Sequence, residues 1–477
     1  MYRALAALFC AVTVALPALA RDVPDDLPTR LDAQLQANRE RYGIAGQAVL
    51  VARNGTILYQ GASGERDPAT HAPAAVDSIF AAQSMAKLFT SVLVMQLVDE
   101  GKVDLDAPAS RYVPELPSAW QAIRVRDFLN HSSGIAEYYE RLDNRWVSKG
   151  YPGMAPDLAA ALKVAGAAPM QFAAGSRVQY TQANYLVLTA LLETHYGKPY
   201  PAIARERILQ PLKMASTSWG VASVPAQRAA VPYIGKDGQL QPANEDPWPD
   251  YGWGHADLQT SVGDMNRFLQ ALATGKLLRT ATLEKLWQPQ RLTDGRSNFF
   301  STGWDTTRSD GYTQVGHDGG TRVRARLAYK DTLSSGYWLF VYFTNGSARN
   351  VWSSTLVEST MAVAAPDAFP HAALSERLIA YALDDDAGAA QAMRAWLRED
   401  HRITSSELER AINSDGYGIR ESLGARRALK VFALNTELYP RSANAWDSLA
   451  ECHAALGEKE AADRLYAKAK ALAKPSP

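Results

Sequence analysis

The sequence predicts an α+β fold: an antiparallel sheet formed by the N- and C-terminal parts of one domain and flanked by helices, followed by an α-helical tail. Three observations predict it. "GQAVLVARNGTILYQGASG", Gly46 to Gly64, holds two short apolar runs on either side of Asn54-Gly55, a hairpin signal. "TRVRARLAYKDTLSSGYWLFVYFTN" gives a second pair of strand runs, Thr321 to Tyr329 and Tyr337 to Asn345, while helix and loop signals fill the space between the two pairs. Beyond Pro366 strand signals stop, and helical runs rich in Ala, Arg and Glu take over. Strands at both ends with helices between them close into one antiparallel sheet.

The 477 residues open with "MYRALAALFCAVTVALPALA": one positive residue, Arg3, then an apolar run, then Ala18-Leu19-Ala20. That is the layout of a signal peptide cut after Ala20, and Pro17 breaks a run already short for a membrane span. The expected location is therefore periplasmic or secreted, with no membrane span after cleavage. Lys plus Arg and Asp plus Glu both number 50, so no net field favours nucleic acid or an acidic membrane. Of two cysteines, Cys10 leaves with the signal and Cys452 stays alone, which excludes an intrachain disulfide.

After the first hairpin comes "QSMAKLFTSVLVMQL", Gln83 to Leu97. Met85, Leu88, Phe89, Val92, Leu93 and Leu97 recur at the spacing of a buried helix. Lys87 breaks the pattern one turn after Ser84. A buried ammonium is costly, and a buried lysine tends to give up its proton. Positions three apart share a helix face, so the amine and the hydroxyl meet there. Serine needs a base to become a nucleophile. A desolvated lysine supplies one, and a helix start leaves N–H groups free for an oxyanion. Alone the motif is weak, since a chain of this length holds on the order of one Ser-x-x-Lys by chance.

Three further stretches add weight in chain order. "RDFLNHSSGI" contains His131-Ser132-Ser133-Gly134, and "VQYTQANYLVLTALLE" places Tyr180 just before an apolar helix. "VGHDGGTRVRARLAY" places His317-Asp318-Gly319-Gly320 at the entry to a strand. Before the last of these, "SVGDMNRFLQAL" starts a helix with a capping box of Ser261 and Asp264. The eight histidines show no metal-ligand spacing, so no metal and no cofactor are expected.

In the tail, Ala428 and Phe432 are echoed 34 residues later by Ala462 and Tyr466, and Pro440 by Pro475. That period, with Trp446, Leu449, Gly457 and Ala469, resembles a tetratricopeptide repeat. At most two units are present, so they are expected to lean on the neighbouring domain, with a protein partner as the alternative. The domain plan is a signal peptide at 1–20, a catalytic domain at 21–366, a helical linker at 367–404 and the repeat-like region at 405–477.

From Leu31 to Pro366 the chain resembles the serine β-lactamase and penicillin-binding protein superfamily. It looks most like the class C β-lactamase-related serine hydrolases, a group that includes esterases and D-amino-acid peptidases. Ser84 and Lys87 match the family's Ser-x-x-Lys. Tyr180 matches the tyrosine of Tyr-x-Asn, with Gln182 in place of the asparagine. His317-Asp318-Gly319 falls where relatives carry Lys-Thr-Gly or His-x-Gly. "HSSG" and "STGW", Ser301 to Trp304, match flanking segments. The resemblance implies the β-lactamase/transpeptidase-like fold and an acyl-enzyme on Ser84. Lys87 and Tyr180 would share the proton work, the backbone N–H groups of Ser84 and Gly320 would hold the oxyanion, and His317 would tune Tyr180.

The departures set further expectations. Asp318 would oppose a substrate carboxylate by about 1–4 kcal/mol at about 4 Å, which disfavours β-lactams. Arg322, Arg324 and Arg326 alternate along one strand face, either solvated or neutralising Asp318. "HADLQTS" places Ala256 and Asp257 where relatives have glycines and brings another carboxylate near the cleft. Gln182 reaches further than asparagine, which moves its amide. The leading reading is a hydrolase of small esters or D-residue peptides. The rivals are a β-lactamase or D,D-carboxypeptidase and an inactive binding scaffold.

Overall fold

The structure is a computed structural model that describes residues 24–142, 145–243, 246–320, 322–399 and 402–473. The expected signal peptide lies outside the described residues. An eight-stranded sheet runs in the order Phe300–Ser301, Trp304–Ser309, Tyr312–Gly319, Val323–Tyr329, Tyr337–Thr344, Gly46–Arg53, Thr56–Asp67 and Ala72–Pro73. The N-terminal hairpin thus pairs with the last strand of the domain, with Leu50 opposite Val341. Asn54 and Gly55 turn that hairpin at φ 50° and 84°, the left-handed pair that a two-residue turn requires.

Alternation along the strands divides two cores. Leu50, Ala52, Ala325, Leu339 and Val341 face the helix Ala86–Asp99 and the helices around it. Val49, Val51, Trp338, Phe340 and Tyr342 face the first helix, Leu27–Tyr42, together with Ser353–Ala364, Pro370–Leu383 and the tail. The tail consists of Ser405–Leu423, Ala425–Leu438, Ala443–Ala455 and Lys459–Ala473. Ala428 and Phe432 are fully buried, and a Cβ on Gly416 would stand 2.6 Å from the Phe432 ring. Glycine inside that helix costs about 1 kcal/mol against alanine, and the ring packing is what it gains in exchange. Trp352 donates from Nε1 to Glu421 of the tail at 2.7 Å. Cys452 is buried with its Sγ 3.1 Å from the Ala425 carbonyl.

Three expectations need correction. The motif helix begins at Ala86, so Ser84 sits in the turn between the strand Phe80–Gln83 and the helix rather than on the helix. His317 to Gly319 close the strand Tyr312–Gly319 instead of opening the next. Ser261 caps its helix by accepting from Asp264 N at 3.2 Å, but the Asp264 carboxylate does not return the bond. It accepts instead from Ser216 N at 2.7 Å and Thr217 Oγ1 at 2.9 Å, two donors that a sequence window cannot see.

Candidate active site

A small second sheet builds the nucleophile turn. Phe80–Gln83 pairs with Leu258–Thr260, which places Gln83 opposite Leu258 and brings "HADLQTS" against the motif. Gln83 takes φ 46°, a conformation disfavoured for a side-chain-bearing residue, directly before Ser84. Lys87 is fully buried, with Nζ 3.4 Å from Ser84 Oγ and 2.8 Å from the His255 carbonyl oxygen. Burial holds its pKa well below the ordinary lysine value, and the nearby Glu137 carboxylate only partly opposes that shift.

Tyr180 reaches Ser84 and Lys87 from a different segment. Its hydroxyl lies beside Ser84. The Lys87 ammonium site stands 4.8 Å from the Tyr180 ring centre and 5.4 Å from that of Tyr185. Desolvation raises the phenol above its usual value, the neighbouring Ser84 lowers it, and Asp318 adds to the rise. The residue as a whole is 41% exposed.

The Tyr180 segment is held by Glu137, which no motif flags, and by the "HSSG" segment. Glu137 accepts from Gln182 N at 2.7 Å, Ala183 N at 3.2 Å and Thr181 Oγ1 at 2.9 Å, capping the helix Ala183–Tyr196. His131 stacks on Tyr180 at 4.3 Å, and its Nδ1 accepts from Thr181 N at 3.3 Å. The proton of its neutral ring therefore sits on Nε2, which has no partner. Burial first, then Lys87 and His317, hold His131 well below the usual histidine range. Ser133 donates to Asn184 Oδ1 at 2.5 Å, which ties "HSSG" to the Tyr180 helix.

His317 lies 6.1 Å from Tyr180 between ring centres, with Nδ1 donating to the Asp318 carbonyl at 2.6 Å. Burial, then Lys87, lower its pKa to about 4, so the ring is neutral at pH 7. Gly319 passes so close to the motif strand that a Cβ there would stand 2.3 Å from the Ala82 carbonyl oxygen. Gly320 follows in the turn beside it.

Asp318 is not where repulsion of a substrate was expected. Strand alternation points it away from His317, to the face that carries the C-terminal helices. There its Oδ2 accepts from Arg324 Nη1 at 3.2 Å and Ser353 Oγ at 2.9 Å. Burial alone would raise this carboxyl, but Arg324, His317 and Arg326 outweigh it and hold the pKa below the ordinary value. The arginines are likewise not a solvated face: Arg326 is 2% exposed and paired with Asp305, which also takes Arg324 at 3.3 Å. Arg322 stands outside the strand at φ 63° and bonds Asn350 Oδ1 at 2.6 Å.

The "HADLQTS" loop contributes a carbonyl rather than a carboxylate. Asp257, at φ 58°, is buried against Gln259 Nε2 at 3.1 Å, while His255 supplies the oxygen that anchors Lys87. The Gln182 side chain lies beside Tyr139, and its Oε1 is buried without a partner. Ser84, Lys87, Tyr180, Gln182, His317 and Gly319 therefore converge, while the Asp318 side chain is turned away. No helix among the described residues is long and apolar enough to cross a membrane, and no cluster among them fits a metal ion.

Comparison with known proteins gives the same picture. The sequence model of the Beta-lactamase family matches residues 31–352. Esterase EstB of Burkholderia gladioli is 32% identical over 52% of this chain and 70% of its own length. D-aminopeptidase of Brucella canis is 26% identical over 62% of the chain, but the match spans only 56% of that protein. Among solved structures, the octameric penicillin-binding protein homologue from Pyrococcus abyssi aligns with a TM-score of 0.59 at 22% identity, covering 74% of this chain and 81% of that one. D-amino acid amidase from Ochrobactrum anthropi SV3 aligns with a TM-score of 0.55 at 22% identity, covering 68% and 92%; both likenesses speak to the fold alone. A family match over more than half of the residues, with a 32% identical esterase covered for most of its length, settles the placement: the protein belongs to the Beta-lactamase family and is a serine hydrolase.

Proposed function

We propose that the protein is a periplasmic or secreted hydrolase that cleaves small esters or amides of D-amino acids through an acyl-enzyme on Ser84. The observation that carries this is the buried Lys87, kept short of protons by desolvation and aimed at Ser84 Oγ from 3.4 Å. Ser84 Oγ attacks the carbonyl carbon, and its proton passes to the Lys87–Tyr180 pair. The backbone N–H groups of Ser84 and Gly320 receive the oxyanion, each worth about 3–4 kcal/mol in such sites. Collapse of the tetrahedral adduct expels the alcohol or amine, which takes the proton from Tyr180. Water then attacks the acyl carbon and gives its proton to the same pair; the second adduct collapses, its bond to Ser84 Oγ breaks, Oγ takes that proton back and the acid leaves. Because Lys87 and Tyr180 face one hydroxyl, they titrate as a unit. The similarity to an esterase and to D-aminopeptidases supports the substrate classes, and the apolar leader ending in Ala18-Leu19-Ala20 supports export.

A β-lactam or D-Ala-D-Ala substrate needs a cation for its carboxylate. The third motif offers the neutral His317 instead of a lysine, and Asp318 is engaged elsewhere. The test applies a fluorophosphonate and a fluorescent penicillin to one preparation. The phosphonate is expected to modify Ser84, and penicillin to label weakly. Stable stoichiometric penicillin labelling would favour the β-lactamase or carboxypeptidase alternative. A protein inert to both would be a scaffold.

A further inference from the structure

Beside the catalytic tyrosine stands a group of aromatic side chains that the proposed chemistry does not use. The hairpin Tyr139–Leu142 with Arg145–Ser148 presents Tyr139 and Trp146 on one face, because Arg141 opposes Trp146 and Tyr139 lies two residues away. Trp248 lies on the same face. Its ring centre is 5.1 Å from Tyr139 and 6.0 Å from Trp146. The Tyr139 ring is perpendicular to both indoles, at 89° and 82°, and the two indoles stack at 27°. An ion pair between Arg145 and Asp246, 3.3 Å apart, joins the hairpin to the segment that carries Trp248.

Two links fasten this group to the reacting atoms. The Tyr139 phenol lies beside the Gln182 side chain, two residues beyond Tyr180, and is near enough to raise the phenol of Tyr180. Trp248 stacks edge-on against His255 at 5.1 Å, and the His255 carbonyl holds Lys87. The three rings remain only part-buried. Packed hydrophobic residues of this size usually finish inside a core, and an apolar surface left open beside a reactive centre marks a contact site.

We infer that Tyr139, Trp146 and Trp248 form an apolar subsite that selects substrates carrying an aryl or bulky hydrocarbon group next to the scissile carbonyl. This rests on the hydrolase reading above and narrows its substrate class. The centroid distances leave no gap between the rings for an inserted ligand, so the substrate group lies on their open face. A ring there gains offset or edge contacts with the indoles. Gln182, turned into the same cluster, forms its floor and ties occupancy of the subsite to the position of the Tyr180 loop.

The test uses two matched sets of esters: p-nitrophenyl acetate against p-nitrophenyl 3-phenylpropionate, and phenylalanine methyl ester against its benzyl ester. Selectivity is the ratio of kcat/KM within a set, corrected for uncatalysed hydrolysis. An aryl preference of at least about tenfold is expected in one set, the range that pocket contacts of this kind provide. Trp146→Ala and Trp248→Ala are expected to reduce that ratio towards one. A ratio near one in both sets, or a preference that survives both substitutions, overturns the subsite. Turnover of neither set would count against the hydrolase reading, so the subsite is also read without chemistry. Ser84→Ala protein titrated with 3-phenylpropionate ester should show saturable quenching of tryptophan fluorescence that Trp248→Phe diminishes. Absence of saturation there overturns the subsite whatever the turnover.

Discussion

At the scale of single residues, Lys87 is the point on which the proposed chemistry turns. Its oddity was legible in the sequence because an apolar helix pattern predicts burial wherever it continues. Its partners were not. The His255 carbonyl is 168 residues away, and Glu137 lies in a loop with no motif to flag it. Lys87→Met keeps the stem's volume and removes the group that burial disfavours. We expect kcat/KM on an activated ester to fall by about 10²–10⁴-fold while the fold survives. The melting temperature should rise at pH 7, for a reason with a definite sign. A lysine whose folded pKa lies below its unfolded value costs stability wherever the unfolded chain is protonated and the folded one is not. That cost disappears as pH climbs through the unfolded value near ~10.4. The gain in melting temperature should therefore shrink between pH 7 and pH 10. Near-normal turnover in a folded variant would remove Lys87 from the mechanism.

At the scale of elements, the decisive contact is between two strand ends. The third motif was recognisable as text, but it was placed at the entry to the next strand instead of at the end of Tyr312–Gly319, and the face on which Asp318 lies was missed with it. Period-two alternation distinguishes His317 from Asp318 only once the strand's extent is known. The same geometry explains the glycine. Gly319 does not take a left-handed backbone; it is required because the Ala82 carbonyl occupies the space a methyl would fill. Gly319→Ala should separate the strand end from the nucleophile turn and displace the Gly320 N–H. Loss of one such donor typically lowers kcat by about 10²–10³-fold. Steady-state kinetics beside a thermal melt checks this. A large fall in kcat with the melt nearly kept is expected, and an unchanged kcat would separate the oxyanion from this strand.

At the scale of the whole molecule, the helical tail is part of the same body as the sheet. Composition announced the change after Pro366; of the 34-residue echo, Ala428, Phe432 and Ala462 are buried, while Tyr466 is 37% exposed. What covers what was not readable, since no periodicity names the partner of a helix face. Ile412, Ile419 and Phe432 share one core with Leu31, Val49 and Phe340, and Ser375 bonds both carboxylate oxygens of Asp415 at 2.9 Å. Asp415 is pushed up to about 8 by burial and by Glu358, so the helix Ser405–Leu423 docks with a carboxyl largely in its neutral form at pH 7. Removing Ser405 to Pro477 uncovers that core. A lower melting temperature and lower solubility are expected. A truncated protein with both unchanged would show that the tail contributes nothing to the sheet.

The buried thiol of Cys452 gives the molecule a built-in clock. Cys452 lies between two tail helices with its pKa pushed up to about 11, chiefly by burial, so a thiol reagent reaches it only when that hairpin opens. The rate of modification, divided by that of the unfolded chain, converts directly into the free energy of local opening. Because Ser84 and Cys452 respond to different reagents, one sample can report turnover at one end of the structure and breathing at the other.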